Sequence, residues 1–364
     1  MNETFEEGRG WRAGERVARW IAVAVVGLWV TGCSPTTYLA RRMMSAPNRV
    51  PDFVKPEGRV WLEWPEGVFE RFPSGTNRLG NPAVELRWVA VEPADYGWST
   101  RVSTETNRSR VRARFRFDFK LPTEGLPPAR PAKGTVYVLH GYGVDLETVF
   151  PWAVFLAEAG WRSVLIDLPG HGHSGGRQVT FGIREVALLE EFRRTVGESK
   201  GWLGPSIAFG HSMGAALALR WQAADRGIAG SVAMGAYSEF VPAALRLRDD
   251  YARWIPRGWV RRAAGKVPRL LGVAPERMDT LASIHGCDVV ALLVASAEDV
   301  VTPPEDSAAL LLELGRGSEL LIVGNASHEA LPFHFDQHGE HVLRWIGEVV
   351  EQDSGRARGL AGGR

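Results

Sequence analysis

Ser212 lies where a hydroxyl side chain could act as a nucleophile. It stands in the run Gly-His-Ser-Met-Gly, between the apolar stretch 206–209 and the alanine-rich apolar stretch 213–224. The first stretch predicts a strand and the second a helix, so the serine falls on the sharp turn between them. Gly210 and Gly214 leave room for close packing there, and the helix N-terminus offers free N–H groups to a developing negative charge. The pattern predicts covalent catalysis by the Ser212 hydroxyl.

The rest of the chain supplies elements that could hold such a turn. After residue 134, short apolar runs alternate with amphipathic stretches, which is typical of a mostly parallel, doubly wound sheet covered by helices. The predicted strands are 135–139, 163–166, 206–209, 231–234, 289–294 and 320–323, and the predicted helices are 146–159, 183–196, 213–224, 304–314 and 340–350. Upstream, the stretches 85–91 and 110–120 alternate with a period of two and predict N-terminal antiparallel strands.

Residues 134–350 resemble the α/β-hydrolase fold, in the branch of lysophospholipases, monoacylglycerol lipases and S33-type serine aminopeptidases. The resemblance rests on His-Gly-Tyr-Gly at 140–143, on Asp-Leu-Pro-Gly-His-Gly-His-Ser at 167–174 and on the turn at Ser212, in the order typical of the family. It implies an oxyanion hole made by the backbone N–H groups of Tyr142 and Met213, with His140 and Gly141 supporting the first loop.

The same resemblance implies an acid and a base on loops after late strands. The run Glu298-Asp-Val-Val-Thr-Pro is similar to the acid loop of the family, which favours Asp299, with the adjacent Glu298 as the alternative. His328 follows the last predicted strand, where the family keeps its base. The predicted triad is therefore Ser212, Asp299 and His328.

Neither a metal nor a cofactor is expected. His334, His338 and His341 have helical spacing that could suit a metal, but Gly339 interrupts them and no carboxylate pattern accompanies them, so the start of a surface helix is favoured. No Gly-x-Gly-x-x-Gly run follows an early strand, which argues against a nucleotide-binding enzyme. Ser212 also excludes the epoxide and haloalkane hydrolases of this fold, because their chemistry needs an Asp at that turn.

The N-terminus has the pattern of an export signal. Arg16 and Arg19 precede an apolar run at 20–30, too short to span a bilayer as a mature helix. The run ends in Val-Thr-Gly-Cys, which resembles the bacterial lipobox, so residues 1–32 are predicted to be a signal peptide and Cys33 a lipidated N-terminus. A plain secretory signal and an uncleaved anchor are the alternatives. Because Ser34 follows the cysteine, an outer-membrane lipoprotein facing the periplasm is expected.

Between the anchor and the catalytic domain, residues 33–82 are predicted to be an irregular tether and lead-in, long enough to let the domain reach the membrane. The hydrolase domain is placed at 83–352 and a flexible tail at 353–364. Too many residues separate the strands 231–234 and 289–294 for one crossover helix, so an inserted helical cap is predicted at about 236–286.

The cap combines positive charge with aromatic side chains. Residues 246–269 hold eight Lys or Arg against two Asp, with Trp254 and Trp259 among them. Such a helix pair could lie on an anionic bilayer, and the alternative is a solvated cap whose tryptophans close the pocket.

Composition narrows the function classes. The chain is 45% hydrophobic, 23% charged and carries a net charge of +1, which excludes general disorder and gives no electrostatic case for nucleic acid. The favoured function is hydrolysis of a small or lipid-like carboxylic ester through an acyl-enzyme. An acyltransferase, an amidase or peptidase on the same triad, and a lipid-tethered envelope scaffold without activity are the alternatives.

Overall fold

The computed structural model describes residues 34–46, 60–65, 67–107, 110–202 and 204–361 of the chain. The predicted signal peptide and Cys33 lie outside these residues. The described strands are β1 (Val60–Glu63), β2 (Ser74–Leu79), β3 (Val84–Val91), β4 (Ser99–Asn107), β5 (Arg110–Asp118), β6 (Thr135–Leu139), β7 (Arg162–Ile166), β8 (Ser206–His211), β9 (Ile228–Met234), β10 (Ala291–Ser296) and β11 (Glu319–Val323).

The described α-helices alternate with the later strands. They are α1 (Pro35–Met43), α2 (Phe150–Glu158), α3 (Glu185–Phe192), α4 (Met213–Ala224), α5 (Phe240–Tyr251), α6 (Arg257–Ala264), α7 (Val267–Leu271), α8 (Thr280–Ile284), α9 (Pro304–Leu311) and α10 (Phe335–Ala361). Within the described residues, no helix is both long enough and apolar enough to cross a bilayer.

Eight of the described strands form one sheet in the order β11-β10-β9-β8-β6-β7-β3-β2. The pairs β2·β3 and β3·β7 are antiparallel, and the other pairs are parallel. Every side chain of β6 is buried, because helices cover both faces of a parallel sheet and leave no polar face. The predicted mostly parallel α/β-hydrolase sheet with N-terminal antiparallel strands is therefore confirmed.

A second sheet, in the order β1-β5-β4, lies beside the first. The alternation in β5 buries Phe115 and Phe117, whereas Arg116 between them is exposed. The two phenylalanines join the core that includes Phe150 and Trp152 of α2. The period-two pattern therefore reports a strand with one apolar and one solvated face.

The prediction of an irregular tether at 33–82 is wrong for its described residues. They hold the helix α1 and the strands β1 and β2. Ser34 caps α1 by accepting a hydrogen bond from the Thr37 N–H, and Pro35 occupies the first turn, where its missing N–H costs nothing. The predicted flexible tail also differs, since α10 continues to Ala361.

The predicted cap consists of α5, α6, α7 and α8 between β9 and β10. Ala263 and Ala264 of α6 and Val267 of α7 are buried, but Trp254 and Trp259 are 74% and 43% exposed. Both tryptophan side chains are therefore accessible to solvent.

Candidate active site

Ser212 occupies the turn between β8 and α4, with φ 56° and ψ −117°. A positive φ is costly for a residue with a Cβ, so the surrounding structure must hold it. The Ser212 N–H donates to the Met234 carbonyl of β9 at 2.8 Å, and α4 begins at the next residue. The strained turn lifts the hydroxyl out of the sheet, as the sequence predicts.

Two glycines make this turn possible. A Cβ on Gly210 would lie 2.1 Å from the Gly214 carbonyl oxygen, and a Cβ on Gly214 would lie 2.3 Å from the Leu139 carbonyl oxygen. Both contacts are with backbone, which cannot move aside cheaply. Gly210 and Gly214 therefore allow α4 to pass against β6 and β8 at a distance that no other residue permits.

The structure brings Ser212, His328 and Asp299 into one hydrogen-bonded chain. The distance from the Ser212 Oγ to the His328 Nε2 is 2.9 Å, and the distance from the His328 Nδ1 to the Asp299 Oδ2 is 2.7 Å. His328 and Asp299 are 7% and 2% exposed. Residues from three loops thus meet with the order and distances that proton transfer from a serine requires.

Asp299 is held by donors on both carboxylate oxygens. Its Oδ1 accepts from the N–H groups of Val301 and Thr302 at 2.8 Å each, and its Oδ2 accepts from the Thr302 hydroxyl at 2.7 Å. Burial opposes ionisation, but the bonds from His328 and Thr302 outweigh it, so the pKa of the Asp299 carboxyl lies below its usual value. Asp299 is therefore an ionised partner for the imidazole at neutral pH.

The alternative acid, Glu298, is exposed, and its N–H bonds to the Ser296 hydroxyl at 3.2 Å. The contact with His328 belongs to Asp299. Thr302 is a site residue that sequence reasoning missed. The signal was available, because a threonine three residues after an aspartate can close a side-chain turn onto it.

The two candidate oxyanion donors lie close to Ser212. Met213 is the first residue of α4, and the Tyr142 loop passes close by, since a Cβ on Gly141 would lie 3.4 Å from the Ser212 Cβ. Among the described residues, neither the Tyr142 N–H nor the Met213 N–H has a hydrogen-bond acceptor. Both N–H groups are free to receive an oxygen that carries negative charge.

His211 is a second residue that the sequence did not single out. Its Nε2 bonds to the His328 carbonyl oxygen at 2.9 Å, which ties the Ser212 turn to the His328 loop. Desolvation and the neighbouring His328 lower the pKa of His211 to about 3, so the ring is neutral at neutral pH. A neutral ring can hold the base loop without placing a second positive charge beside the imidazole.

His140 and Asp167 fasten the loops that follow β6 and β7. The His140 Nε2 accepts from the Leu168 N–H at 2.9 Å, and its Nδ1 donates to the Gly141 carbonyl at 2.8 Å. Burial lowers the pKa of His140 to about 4, which keeps one ring nitrogen as an acceptor. The Asp167 carboxylate accepts from the N–H groups of Leu146 and His173 at 2.9 Å each. The motif at 167–174 is thus structural, because its side chains tie loops together.

The three histidines near the C-terminus have separate partners. The His338 Nε2 bonds to the Leu331 carbonyl oxygen at 2.7 Å, the His341 Nε2 bonds to Glu319 at 2.7 Å, and His334 packs edge-on against Phe115. No group of three potential metal-ligating side chains occurs within the described residues.

Comparison with known proteins places the fold. The chain has the α/β-hydrolase fold: an esterase from Pyrococcus furiosus superposes with a TM-score of 0.53 at 16% identity, over 82% of this chain and 99% of the esterase. Another crystal form of that esterase gives a TM-score of 0.51 at 17% identity, over 80% of this chain and 98% of the esterase. A monoacylglycerol lipase from Paleococcus ferrophilus gives a TM-score of 0.42 at 20% identity, over 61% of this chain and 95% of the lipase.

The sequence comparison adds the class of enzyme. The family model of serine aminopeptidases, S33, matches residues 130–279, which contain Ser212 and precede Asp299 and His328. A search of curated proteins gives no match. The family match, together with the fold, supports a hydrolase.

Proposed function

We propose that the protein is a serine hydrolase that cleaves carboxylic esters through an acyl-enzyme. The observation that carries this proposal is the hydrogen-bonded chain from Asp299 through His328 to Ser212, with the serine in its strained turn. A hydroxyl is a weak nucleophile at neutral pH. It becomes reactive when an adjacent base, oriented by a carboxylate, takes its proton.

Acylation follows from the positions of the protons. The Ser212 Oγ attacks the ester carbonyl carbon while its proton passes to the His328 Nε2, and Asp299 stabilises the imidazolium that forms. The oxyanion is bound by the N–H groups of Tyr142 and Met213, each worth about 100-fold or more in rate. When the tetrahedral intermediate collapses, the bond to the leaving alkoxide breaks and the alkoxide takes the proton from His328.

Deacylation repeats these steps with water. His328 removes a proton from water, the resulting oxygen attacks the acyl carbon, and the bond to the Ser212 Oγ breaks. The carboxylic acid leaves and Ser212 regains its proton from His328. Every step uses side chains and backbone groups of this chain.

Aromatic side chains beside the Ser212 turn support a lipid-like ester as the substrate. The Tyr142 ring stacks on Phe181 with centroids 5.9 Å apart, and Phe181 packs against Phe240 of the cap at 4.8 Å. These rings form one aromatic cluster that runs from the Tyr142 loop to the cap. An aromatic cluster beside the serine favours an acyl or alkyl chain over a charged peptide.

A panel of p-nitrophenyl esters of increasing acyl length, with matching p-nitroanilides, tests this proposal. We expect turnover of the esters and anilide turnover that is lower by about 100-fold or more, since an amine is the poorer leaving group. Anilide turnover that equals ester turnover would favour the amidase or peptidase. Product formed only when an alcohol acceptor is added would favour the acyltransferase, and inactivity on every substrate would favour the envelope scaffold.

We further propose that Cys33 carries the lipid of an exported bacterial lipoprotein in the outer membrane, facing the periplasm. The support is the export signal and the lipobox that precede it in sequence. The cap adds support, because Trp254 and Trp259 are exposed beside Arg257 and Arg261. Arginines can contact phosphate headgroups while tryptophans sit at the interface.

Cys33→Ser is expected to abolish labelling by an alkyne fatty acid in a bacterial host and to release the protein from the membrane fraction. The chain offers a matched control, since its other cysteine is Cys287. Cys287→Ser should keep both the label and the membrane association. Label retained in Cys33→Ser would contradict the assignment.

The contribution of the cap is measured in the same experiment. Membrane association that remains in Cys33→Ser should fall with added salt and with Arg261→Glu/Arg262→Glu. If Cys33→Ser shows no association even at low salt, the lipid is the whole attachment.

A further inference from the structure

The helix α1 lies between the cap and the loops around the nucleophile. Ala40 of α1 is fully buried and belongs to the same core cluster as Ala263 and Ala264 of α6. Alanines on both helices let the two backbones approach closely. The segment 34–46 therefore packs as part of the body and forms one wall beside the site.

One end of this segment is clamped to the cap by a lysine. The Lys266 Nζ lies 2.9, 2.7 and 2.8 Å from the hydroxyl oxygens of Ser34, Thr36 and Thr37. An ammonium group has three donors, and three acceptors meet it here. The N-terminus of α1, which is the positive end of the helix dipole, lies beside the positively charged Lys266 and does not attract it. The contact therefore depends on the three hydroxyl acceptors.

The other end is fastened to the loops beneath the site. The Met44 carbonyl accepts from the Val179 N–H at 2.8 Å, and the Ala46 N–H donates to the Arg177 carbonyl at 3.0 Å. The Tyr142 hydroxyl donates to the Met43 carbonyl at 3.1 Å. The segment thus connects the cap directly to the side chain of the oxyanion-loop residue.

The Tyr142 loop needs such an external contact. Tyr142 stands between Gly141 and Gly143, and Gly143 has φ 80° with no atoms within 4 Å of its Cβ position. Glycines on both sides make a backbone pliable, so the side chain must fix the direction of the Tyr142 N–H. The ring contacts His171 and Phe181, and the hydroxyl contacts Met43.

We propose that α1 is a positioning strap, in which the Met43 carbonyl and Lys266 hold Tyr142 in the direction that binds the oxyanion. This inference rests on the proposed ester hydrolysis and deepens it. Met43 and Lys266 touch no reacting atom, so they act through Tyr142. An oxyanion donor works only while it is preorganised, and releasing the strap removes that preorganisation.

Two variants release the strap at opposite ends. Tyr142→Phe removes the bond to Met43, and Lys266→Met removes the clamp while keeping the length of the side chain. Each is expected to lower kcat on a short p-nitrophenyl ester by about 3- to 10-fold with little change in KM, because only the part of the lost hydrogen-bond energy that orients Tyr142 affects the transition state. In the double variant the losses should be less than the product of the single losses, because both act through one strap.

Matched controls lie on α1 and on α7, which begins directly after Lys266. Tyr38→Phe changes an exposed tyrosine of α1, and Arg269→Met changes an exposed cation of α7. Both should keep the wild-type kcat. A lower melting temperature in Lys266→Met with an unchanged kcat would reduce α1 to a purely structural role and overturn the proposal.

Amide hydrogen exchange separates this inference from the proposed activity. In both strap variants the peptide that covers 140–149 should exchange faster than in wild type, whether or not the protein hydrolyses the ester. Unchanged exchange in the peptide 140–149 would overturn the proposed role of α1 and leave the proposed ester hydrolysis untouched. A wild-type protein that is inactive on every ester would instead contradict the proposed function.

Discussion

Ser212→Ala is expected to lower kcat on p-nitrophenyl esters by about 10⁶-fold, the loss typical of a serine nucleophile in a triad. The hydroxyl is 2.9 Å from the His328 Nε2, and no other nucleophile takes its place at the turn. The fold should be unaffected, because the backbone at φ 56° is held by the N–H bond to Met234 and by the packing of α4.

A fluorophosphonate probe gives a second measurement of the same assignment. It should label the wild-type protein and leave Ser212→Ala unlabelled. Ser199→Ala is a suitable control, since Ser199 is exposed and its hydroxyl donates to the Val196 carbonyl at 2.9 Å. Equal labelling of wild type and Ser212→Ala would remove Ser212 from the mechanism.

Asp299→Asn is expected to lower kcat by about 10⁴-fold, as in the serine protease whose triad aspartate is replaced by asparagine. The physical reason is the direction in which the new amide must lie. The N–H groups of Val301 and Thr302 face the Oδ1 at 2.8 Å, so the amide oxygen takes that side and the NH₂ faces the His328 Nδ1. His328 must then accept at Nδ1 and carry its proton on Nε2, where it can no longer take the proton of Ser212.

Glu298→Gln is the matched control for this change. It removes the neighbouring carboxylate, which is exposed, and should leave kcat close to that of wild type. A large loss in Glu298→Gln with a small loss in Asp299→Asn would transfer the role of the acid to Glu298.

The strained turn at Ser212 was predictable because its signal is local. A strand, a turn flanked by Gly210 and Gly214 and a helix all lie within one short stretch, and the backbone contacts that exclude a Cβ are made by that stretch and by β6. His328 and Asp299 could be predicted only through the order of motifs in a family. Their contact joins residues that are far apart in sequence, which no local pattern records.

Thr302, His211 and α1 were missed for different reasons. Thr302 bonds to Asp299 within one local turn whose signal was overlooked, whereas His211 acts by a tertiary contact with the His328 carbonyl. The helix α1 has only nine residues, too few to be stable alone, and its stability comes from packing against α6. Ser34 followed by Pro35 is a typical helix start, but the helix is stable only when it packs against α6, and the sequence does not show that contact.

The docking of α1 changes what a lipid on Cys33 would do. A free tether of roughly 50 residues would behave as a coil with a span of about 40 Å, and the enzyme could search a wide hemisphere above the leaflet. Ser34 is instead bonded to Lys266 of the cap, and it follows Cys33 by a single peptide unit of about 3.8 Å. A lipid on Cys33 would therefore be joined to the cap by the shortest covalent connection possible, and the acylated protein would be held with the cap at the headgroups. If the proposed lipid esters are its substrates, they would then arrive by lateral diffusion within the leaflet.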